Sequence, residues 1–500
     1  MITRLGAFAT ALAAVGGLLA ATPGAVPAAA SPAATTTGVP RPAFGFAPLA
    51  SGSVDELTAE FRKLKRIGAT QIRVNFDWDS IEPTGYHADQ SDYYWTRVDN
   101  ELTAAEALGL HVVVDMEYGH TLYSAEGAAN DNHDYPPDDP AVFGRYVGEV
   151  ATHVESLFPG VAVAYEVWNE ENLGARFWKP VADPAQYAEL LCASYGPLKS
   201  AAPDVPVSIG GLLIAPFGNS PAISWGGVDY LDHLLDAVGD RPCFDAVAYH
   251  PYPYPFVSPE AVVRGQGATS AADAVDALRA TLTAHGYPAT TPILDTEIGW
   301  PTNAEHFPTS NGVTEAMQAR YLVRMALLSW QRGVSLVDWY TAYDDPDAGT
   351  NSDQESAFGV FRHDGSRKPS VTALTTFNRL LPAGWTYSKD LSAAWRLPRG
   401  KQGVGEGFAL EFSGPSHRHV IALWYANENV PASCSEGLMA LNCPVVSSLP
   451  KPRKISVRAA LPARAKHVTV TSLLGKKLKR SAHLSVGQDP LYLAWTGPAV

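Results

Sequence analysis

Eight short runs rich in apolar and β-branched residues recur along the first three-quarters of the chain, and each is followed by a stretch whose apolar positions fall at helical spacing. The runs are Ala43–Pro48, Gln71–Phe76, His111–Glu117, Val161–Asn169, Val205–Gly211, Phe244–His250, Pro292–Glu297 and Val334–Tyr340. The helical stretches are Val54–Ile67, Asp92–Leu108, Pro140–Phe158, Pro184–Ser200, Asp229–Val238, Ala271–His285, Thr314–Arg332 and Pro369–Leu380. Near-continuous apolar runs of strand length are expected of strands buried on both faces, as in a parallel sheet covered by helices. Several helical stretches open on Ser, Asp or Pro, the residues that start helices. Eight β-then-α units predict an α/β fold with a (β/α)8 TIM barrel over residues 41–380. An open doubly wound sheet would want a Gly-rich first βα turn, which GFAPLASGS does not supply.

Past Leu381 the helical spacing stops. Short alternating runs such as GFALEFSG, HVIALWYA, KISVRAA, HVTVTSLLG and LYLAWTG, separated by Gly, Pro and Ser, predict a C-terminal antiparallel β-sandwich over 381–500. At the other end, Arg4 precedes an Ala/Leu/Val stretch and small residues from Ala25 to Ala30, the layout of a signal peptide over 1–30. Residues 31–40, rich in Ala, Thr and Pro, read as a disordered linker. The expectation is a secreted, soluble protein, since no later segment approaches the roughly 20 apolar residues a spanning helix needs. An uncleaved N-terminal anchor is the alternative.

Composition changes this picture in two places. The four cysteines suit an exported chain: Cys434 and Cys443 are close enough in sequence to bridge, and Cys192 and Cys243 pair only if the fold joins them. No CxxC or His/Cys cluster suggests a metal, so neither metal nor cofactor is expected. The net charge of −14 is uneven, because Lys451 to Arg480 holds ten Lys/Arg and no Asp or Glu. The rest of the chain therefore carries −14 − 10 = −24, which argues against nucleic acid as the main ligand. The basic run either contacts an anionic cell-envelope polymer or acidic glycan, or is a solvated face that guards sheet edges; the second is favoured.

The tips of the candidate strands collect chemistry. Strand two continues into Trp78 and Glu82 and carries Arg73; strand three ends DMEYGH with His120; strand four ends WNEEN with Asn169, Glu170 and Glu171. Strand six ends YHPYPY with Tyr249, His250 and Tyr252, strand seven ends LDTEIGWP with Glu297, and strand eight ends DWYTAYDD with Trp339. In a barrel these ends share one rim, where barrel chemistry sits. Two carboxylates facing each other in an aromatic-lined polar mouth suit glycoside hydrolysis: one protonates the leaving oxygen, and the other attacks the anomeric carbon or activates water. Asn169 can bind a ring hydroxyl, and Arg73 with a strand-six tyrosine can hold Glu297 as an anion. Glu171 is expected to be a solvated or helix-starting charge. Asp295, two residues before Glu297, should share its side of the strand.

WNEEN, TEIGWP, AYHPY, Arg73 and DWY, in that arrangement, resemble the retaining glycoside hydrolases of clan A. QIRVNFDWDSIEPTGYHADQSDYYWTRVD and FGVFRHDGSRKPS are similar to family 39 in particular, with family 5 next. The resemblance covers about Phe44 to Leu380. It implies Glu170 as acid/base and Glu297 as nucleophile, Asn169 beside the scissile bond, Arg73, His250 and Tyr252 supporting the carboxylates, and Trp339 flooring the sugar subsite. His120 and Trp78 are candidates for the cleft wall. Retention of configuration, with carboxyl groups about 5–5.5 Å apart, also follows from the resemblance. The alternatives are a non-catalytic carbohydrate-binding surface protein on the same scaffold, and a transglycosylase using the same carboxylates. The sugar, the anomer and the oligomeric state stay open.

Overall fold

The computed structural model describes residues 38–47, 51–90, 93–214, 220–253, 256–262, 269–306, 312–350, 353–400, 404–427 and 454–500. Strand β1 (Val39–Pro40) precedes a closed parallel barrel of β2 (Ala43–Phe46), β3 (Gln71–Asp77), β4 (His111–Glu117), β5 (Ala162–Asn169), β6 (Val207–Leu213), β7 (Val247–His250), β8 (Ile293–Ile298) and β9 (Leu336–Trp339). Closure is by β9 on β2, where Phe44 faces Val337 and Phe46 faces Trp339. The helices are α1 (Val54–Arg66), α2 (Trp78–Ile81), α3 (Thr96–Leu108), α4 (Ala125–Asn130), α5 (Pro140–Leu157), α6 (Pro184–Ala201), α7 (Gly227–Val238), α8 (Ala274–Ala284), α9 (Glu315–Gln331) and α10 (Pro369–Leu380). All eight expected strands and all eight expected helices are present within a few residues, with the short α2 and α4 added in loops.

Local chemistry sets the helix starts. Ser53 and Glu56 form a reciprocal capping box on α1, and Asp139 and Asp183 accept from the first-turn amides of α5 and α6, each followed by Pro. Leu57, Phe61 and Leu64 make the buried stripe of α1; each such side chain contributes about 1.5–3 kcal/mol of burial. Inside the barrel, Val113, Ala164, Ala246, Ala248, Leu294 and Leu336 fill one end with small apolar side chains. Above them, towards the strand C-termini, the interior turns polar with Arg73, Asp115, Glu166, His250 and Thr296.

After α10 come β10 (Thr386–Asp390), β11 (Val404–Gly414), β12 (Arg418–Asn427), β13 (Ile455–Arg458), β14 (Lys466–Thr471), β15 (Lys477–Leu478), β16 (His483–Val486) and β17 (Leu491–Thr496). Among the described residues the sandwich is unequal. A seven-stranded antiparallel sheet in the order β1-β10-β11-β12-β17-β14-β15 faces a two-stranded ribbon of β13 and β16. Alternation along β12 decides the packing: Ile421 and Leu423 point to the core shared with the ribbon, while Val420, Ala422 and Trp424 join the barrel core. Trp330 of α9 meets Phe412 at 4.5 Å across that second interface.

The linker expectation is corrected at its end. Val39 and Pro40 pair with Tyr387 and Thr386, so the chain adds an edge strand to the C-terminal sheet before entering the barrel. Cys192 and Cys243 form a disulfide between α6 and the segment before β7; Cys434 and Cys443 lie outside the described residues. Among the described residues no helix is long and apolar enough to cross a membrane.

Candidate active site

Two departures from regular strand geometry assemble the site. At the end of β5, Trp168 has φ +74° and Glu170 φ +48°, a conformation uncommon for side chains of this kind that clusters at functional sites. The chain bends around Asn169, and Asn169 and Glu170 both reach the barrel mouth. In β8 the register against β9 slips between Asp295 and Ile298, a bulge that sets an extra residue opposite β9. Thr296 and Glu297, adjacent in sequence, consequently both face the site.

Glu170 Oε1 lies 2.9 Å from His250 Nδ1, and Glu297 Oε2 lies 3.9 Å from the same nitrogen. One ligand atom from each of these three residues falls within 4.8 Å of the others, so a Glu170 oxygen is within 4.8 Å of a Glu297 oxygen. The Arg73 Nη1–H group donates to Glu297 Oε1 at 2.7 Å, and the Tyr252 hydroxyl donates to Oε2 at 3.0 Å. The same guanidinium donates to Glu166 and to Asn169 Oδ1 and sits 2.9 Å from Asp115. Asn169 Nδ2 in turn donates to the Tyr118 oxygen at 3.0 Å, which fixes the amide's orientation.

Burial separates the protonation states. It pushes the Glu170 carboxyl up to about 7, against the opposing pull of the Arg176 and Arg73 guanidinium groups. It pushes His250 down to about 4, so the imidazole is neutral at neutral pH. The Thr296 hydroxyl donates to Glu166 Oε1 at 3.0 Å and lies 3.1 Å from His250 Nε2. The hydroxyl's one proton is spent on Glu166, so Oγ1 accepts from Nε2–H. Nδ1 is then the acceptor, and the proton on the Glu170–His250 edge belongs to Glu170. Gly211 lets the ring fit, since a Cβ there would collide with His250 Nε2.

Glu170, Glu297, Arg73, Asn169, His250 and Tyr252 are thus brought together. Three other expectations are corrected. Trp339 is nearly fully buried and stacks on Phe44, which meets Phe377 of α10, so it points out to the helix layer. The next residue takes the inward direction: Tyr340 faces Tyr252 at 6.4 Å, and its hydroxyl donates to Glu355 at 3.3 Å. Trp78 has no exposed surface and stacks between Tyr123 and Tyr146. His120 contacts Trp78 edge-on and spends both ring nitrogens locally, on the Glu82 carbonyl and the Leu122 amide. Both are framework behind the cleft, not its wall.

Two further readings change. Glu171 is fully buried, not solvated, and burial pushes its carboxyl well above the usual range. Asp295 pairs in register with Tyr249 and Val337 of the outer core, so the bulge puts it on the opposite side from Glu297. Tyr118, Thr296, Tyr340 and Arg176 were not singled out beforehand. Tyr340 stands next to Trp339 and Tyr118 two residues before His120, and the end of strand alternation at the rim is what hid them. Asp77, Asp79 and His133 converge at the tip of β3, where hydrogen bonding to Asp79 pushes His133 up to about 9 and so makes it the cation of that cluster.

No protein-family model and no curated protein matches the chain. Among solved structures it is similar to a family 39 glycoside hydrolase from Bacteroides cellulosilyticus WH2, with a TM-score of 0.65 and 20% identity over 91% of this chain and 81% of that one. A monomeric β-xylosidase from Caulobacter crescentus CB15 aligns with a TM-score of 0.57 and 16% identity over 93% and 98% of the two chains. A glucosidase from Croceicoccus marinus aligns with a TM-score of 0.58 and 14% identity over 94% and 98%. The chain therefore has the fold of a family 39 glycoside hydrolase.

Proposed function

We propose that the protein is a retaining glycoside hydrolase that cleaves O-glycosidic bonds by double displacement. The observation that carries this is the Glu170–Glu297 pair: carboxylates from two strands within 4.8 Å, one pushed up to about 7 and the other held by Arg73 and Tyr252. Retaining enzymes need this short separation, because one carboxylate must itself reach the anomeric carbon; inversion needs room for a water between them.

In the first step a Glu297 oxygen attacks the anomeric carbon as the bond to the leaving oxygen breaks, and the Glu170 proton goes to that oxygen. Arg73 and Tyr252, each donating to one Glu297 oxygen, keep that carboxylate aimed. In the second step Glu170, now a carboxylate, takes a proton from water; the water oxygen bonds to the anomeric carbon and the bond to Glu297 breaks. Asn169, clamped between Arg73 and Tyr118, is positioned to bind a hydroxyl of the sugar at the reacting bond. The fold is shared with a β-xylosidase and a glucosidase, which fits a carbohydrate substrate and leaves its identity to assay.

Export completes the reading, and the Cys192–Cys243 disulfide fits an oxidising compartment. The test is Glu170→Ala and Glu297→Ala assayed on aryl glycosides, with product configuration followed by NMR. Each variant should lose at least about 10²-fold in kcat/KM, in keeping with the usual worth of such groups. Wild-type rates in both, or an inverted product, would refute the assignment.

A further inference from the structure

The basic run near the C-terminus is a separate feature of the molecule. Of its ten Lys/Arg, Lys451 and Arg453 lie outside the described residues; the other eight, Lys454 to Arg480, are all exposed. Among the described residues none of the eight makes a salt bridge. Guarding a sheet edge takes one or two charges, and the edge strand here, β15, is two residues long. Eight unpaired cations exceed that need.

Topology concentrates five of them. Lys476 and Lys477 stand at the β14–β15 turn, and Lys479 and Arg480 lead directly into β16. Ala459 donates its amide to the Ala482 carbonyl, which brings Arg458 beside that connection. At the turn, Gly475 (φ +80°) packs so closely on α10 that an added Cβ would meet Thr376 and lie 3.9 Å from Arg379 Nη2. Arg379 is also exposed, so the cationic face crosses from the sheet onto the barrel. Its location in the fold is fixed by Asn378, which donates to the Ile67 carbonyl at the end of α1, just before β3 begins. That is the N-terminal end of the barrel strands, opposite the rim that carries Glu170 and Glu297.

We propose that this face anchors the protein to a linear, carboxylate-bearing polysaccharide, with the reacting cleft turned away from the anchor. The choice of a glycan rests on the glycosidase reading; the cation count supplies the charge sign. Residues 454–483 contain no Phe, Tyr or Trp and no amphipathic helix. Leu474 and Leu478 are exposed on this face, but two leucines without an aromatic or an apolar helix face fall short of what a membrane surface would want to insert, and single-stranded nucleic acid would want stacking platforms. An acidic polysaccharide asks only for spaced, unpaired cations, and its binding must weaken as salt displaces it.

The experiment measures binding of the full chain to polygalacturonate and to neutral dextran from about 50 mM to about 500 mM NaCl, a range over which phosphate-type contacts lose most of their affinity. The probe is the variant Lys476→Glu/Lys477→Glu/Lys479→Glu/Arg480→Glu, with Arg379→Glu alone as a milder second variant. Polygalacturonate binding should be salt-sensitive, absent for dextran, and at least about tenfold weaker in the fourfold variant, with aryl-glycoside hydrolysis unchanged. Equal binding by wild type and both variants would overturn the proposal. So would tighter binding, at equal salt, to phosphatidylglycerol vesicles or to DNA. A chain that hydrolyses no glycoside yet keeps variant-sensitive polygalacturonate binding would refute the catalytic reading and leave the anchor standing.

Discussion

The Thr296 hydroxyl oxygen lies 3.1 Å from His250 Nε2, and through that contact one threonine decides which imidazole nitrogen carries a proton. Because Thr296 also donates to Glu166, it accepts from His250, and His250 in turn accepts from Glu170. On the proposed mechanism, the proton that acid catalysis spends is thereby stored on Glu170. Thr296→Val keeps the volume and frees the tautomer. It should lower kcat roughly tenfold on substrates with poor leaving groups and much less on dinitrophenyl glycosides, a fraction of what general acid catalysis contributes. The two substrate classes measured side by side check this; equal losses on both would make the hydroxyl merely structural.

On the proposed mechanism, the raised Glu170 carboxyl sets the alkaline limit of activity. Glu170 is protonated below about 7 and loses the proton above it, so kcat/KM should fall tenfold per pH unit on that side. His250, pushed down to about 4, stays neutral through this range and adds no limb of its own. Stability has the same origin. The folded protein holds a proton on Glu170 that the unfolded chain releases near its ordinary value of 4.5, so stability falls as pH rises from there to about 7. Glu170→Gln should remove that decline and stabilise the protein at alkaline pH by about 1–3 kcal/mol, read from urea unfolding on either side of neutrality.

Arg73 is fully buried among Asp115, Glu166 and Glu297. Removing it strands buried negative charge, a loss of about 3–5 kcal/mol in comparable ion clusters. Arg73→Met should therefore fold poorly and be inactive. Arg73→Lys keeps the charge but not the planar fork that reaches Glu166, Asn169 and Glu297 at once. It should fold with reduced stability and lose kcat more than KM, because what suffers is the aim of Glu297. Thermal unfolding combined with steady-state kinetics separates the two effects.

The sequence was legible wherever a regular period held. Apolar runs such as HVVVDME and the capped helices after them disclose the barrel because strand and helix spacing are dictated by burial alone. The motifs at the tips contain Glu170, Glu297, Arg73, Asn169, His250 and Tyr252, the six that the fold brings together at the barrel mouth. Legibility fails where the period breaks. The bulge in β8 exchanges Asp295 for Thr296 beside Glu297, and no local residue signals it. The end of β9 turns Trp339 outward and Tyr340 inward, one residue away from the expectation. Val39 and Pro40 look like linker because their partners, Tyr387 and Thr386, lie about 350 residues on, beyond the reach of any local pattern.

That one-residue exchange at β9 is itself testable. Tyr340 lines the mouth beside Tyr252 and bonds Glu355, whereas Trp339 fills the interface between the barrel and α10. Tyr340→Ala should raise KM roughly tenfold, about 1.4 kcal/mol of lost ground-state binding, with little change in unfolding. Trp339→Ala should leave KM alone and cost about 3–5 kcal/mol of stability, as large buried aromatics do. The opposite pairing of effects would return Trp339 to the sugar subsite.

The C-terminal sheet reaches the active site through one buried carboxylate. Glu260, in the segment that follows Tyr252, accepts from Trp424 Nε1 of β12 at 2.7 Å and is bound by both Nε and Nη2 of Arg324 on α9. The same segment is held by Trp300 Nε1, which donates to the Val257 carbonyl, and by Phe256 against Phe358, whose ring also contacts Tyr252. Trp424→Phe keeps the packing on Phe408 and deletes only the bond to Glu260. Glu260 Oε1 still accepts from Arg324 Nε, so what is lost is one hydrogen bond to a charged group, about 1.5–3 kcal/mol. If the sheet positions the Tyr252 segment, kcat should fall with stability, and the loss should be absent in a Tyr252→Phe background, because the hydroxyl being positioned is already gone. Additive losses in that double-mutant comparison would confine Glu260 and Trp424 to holding the two domains together.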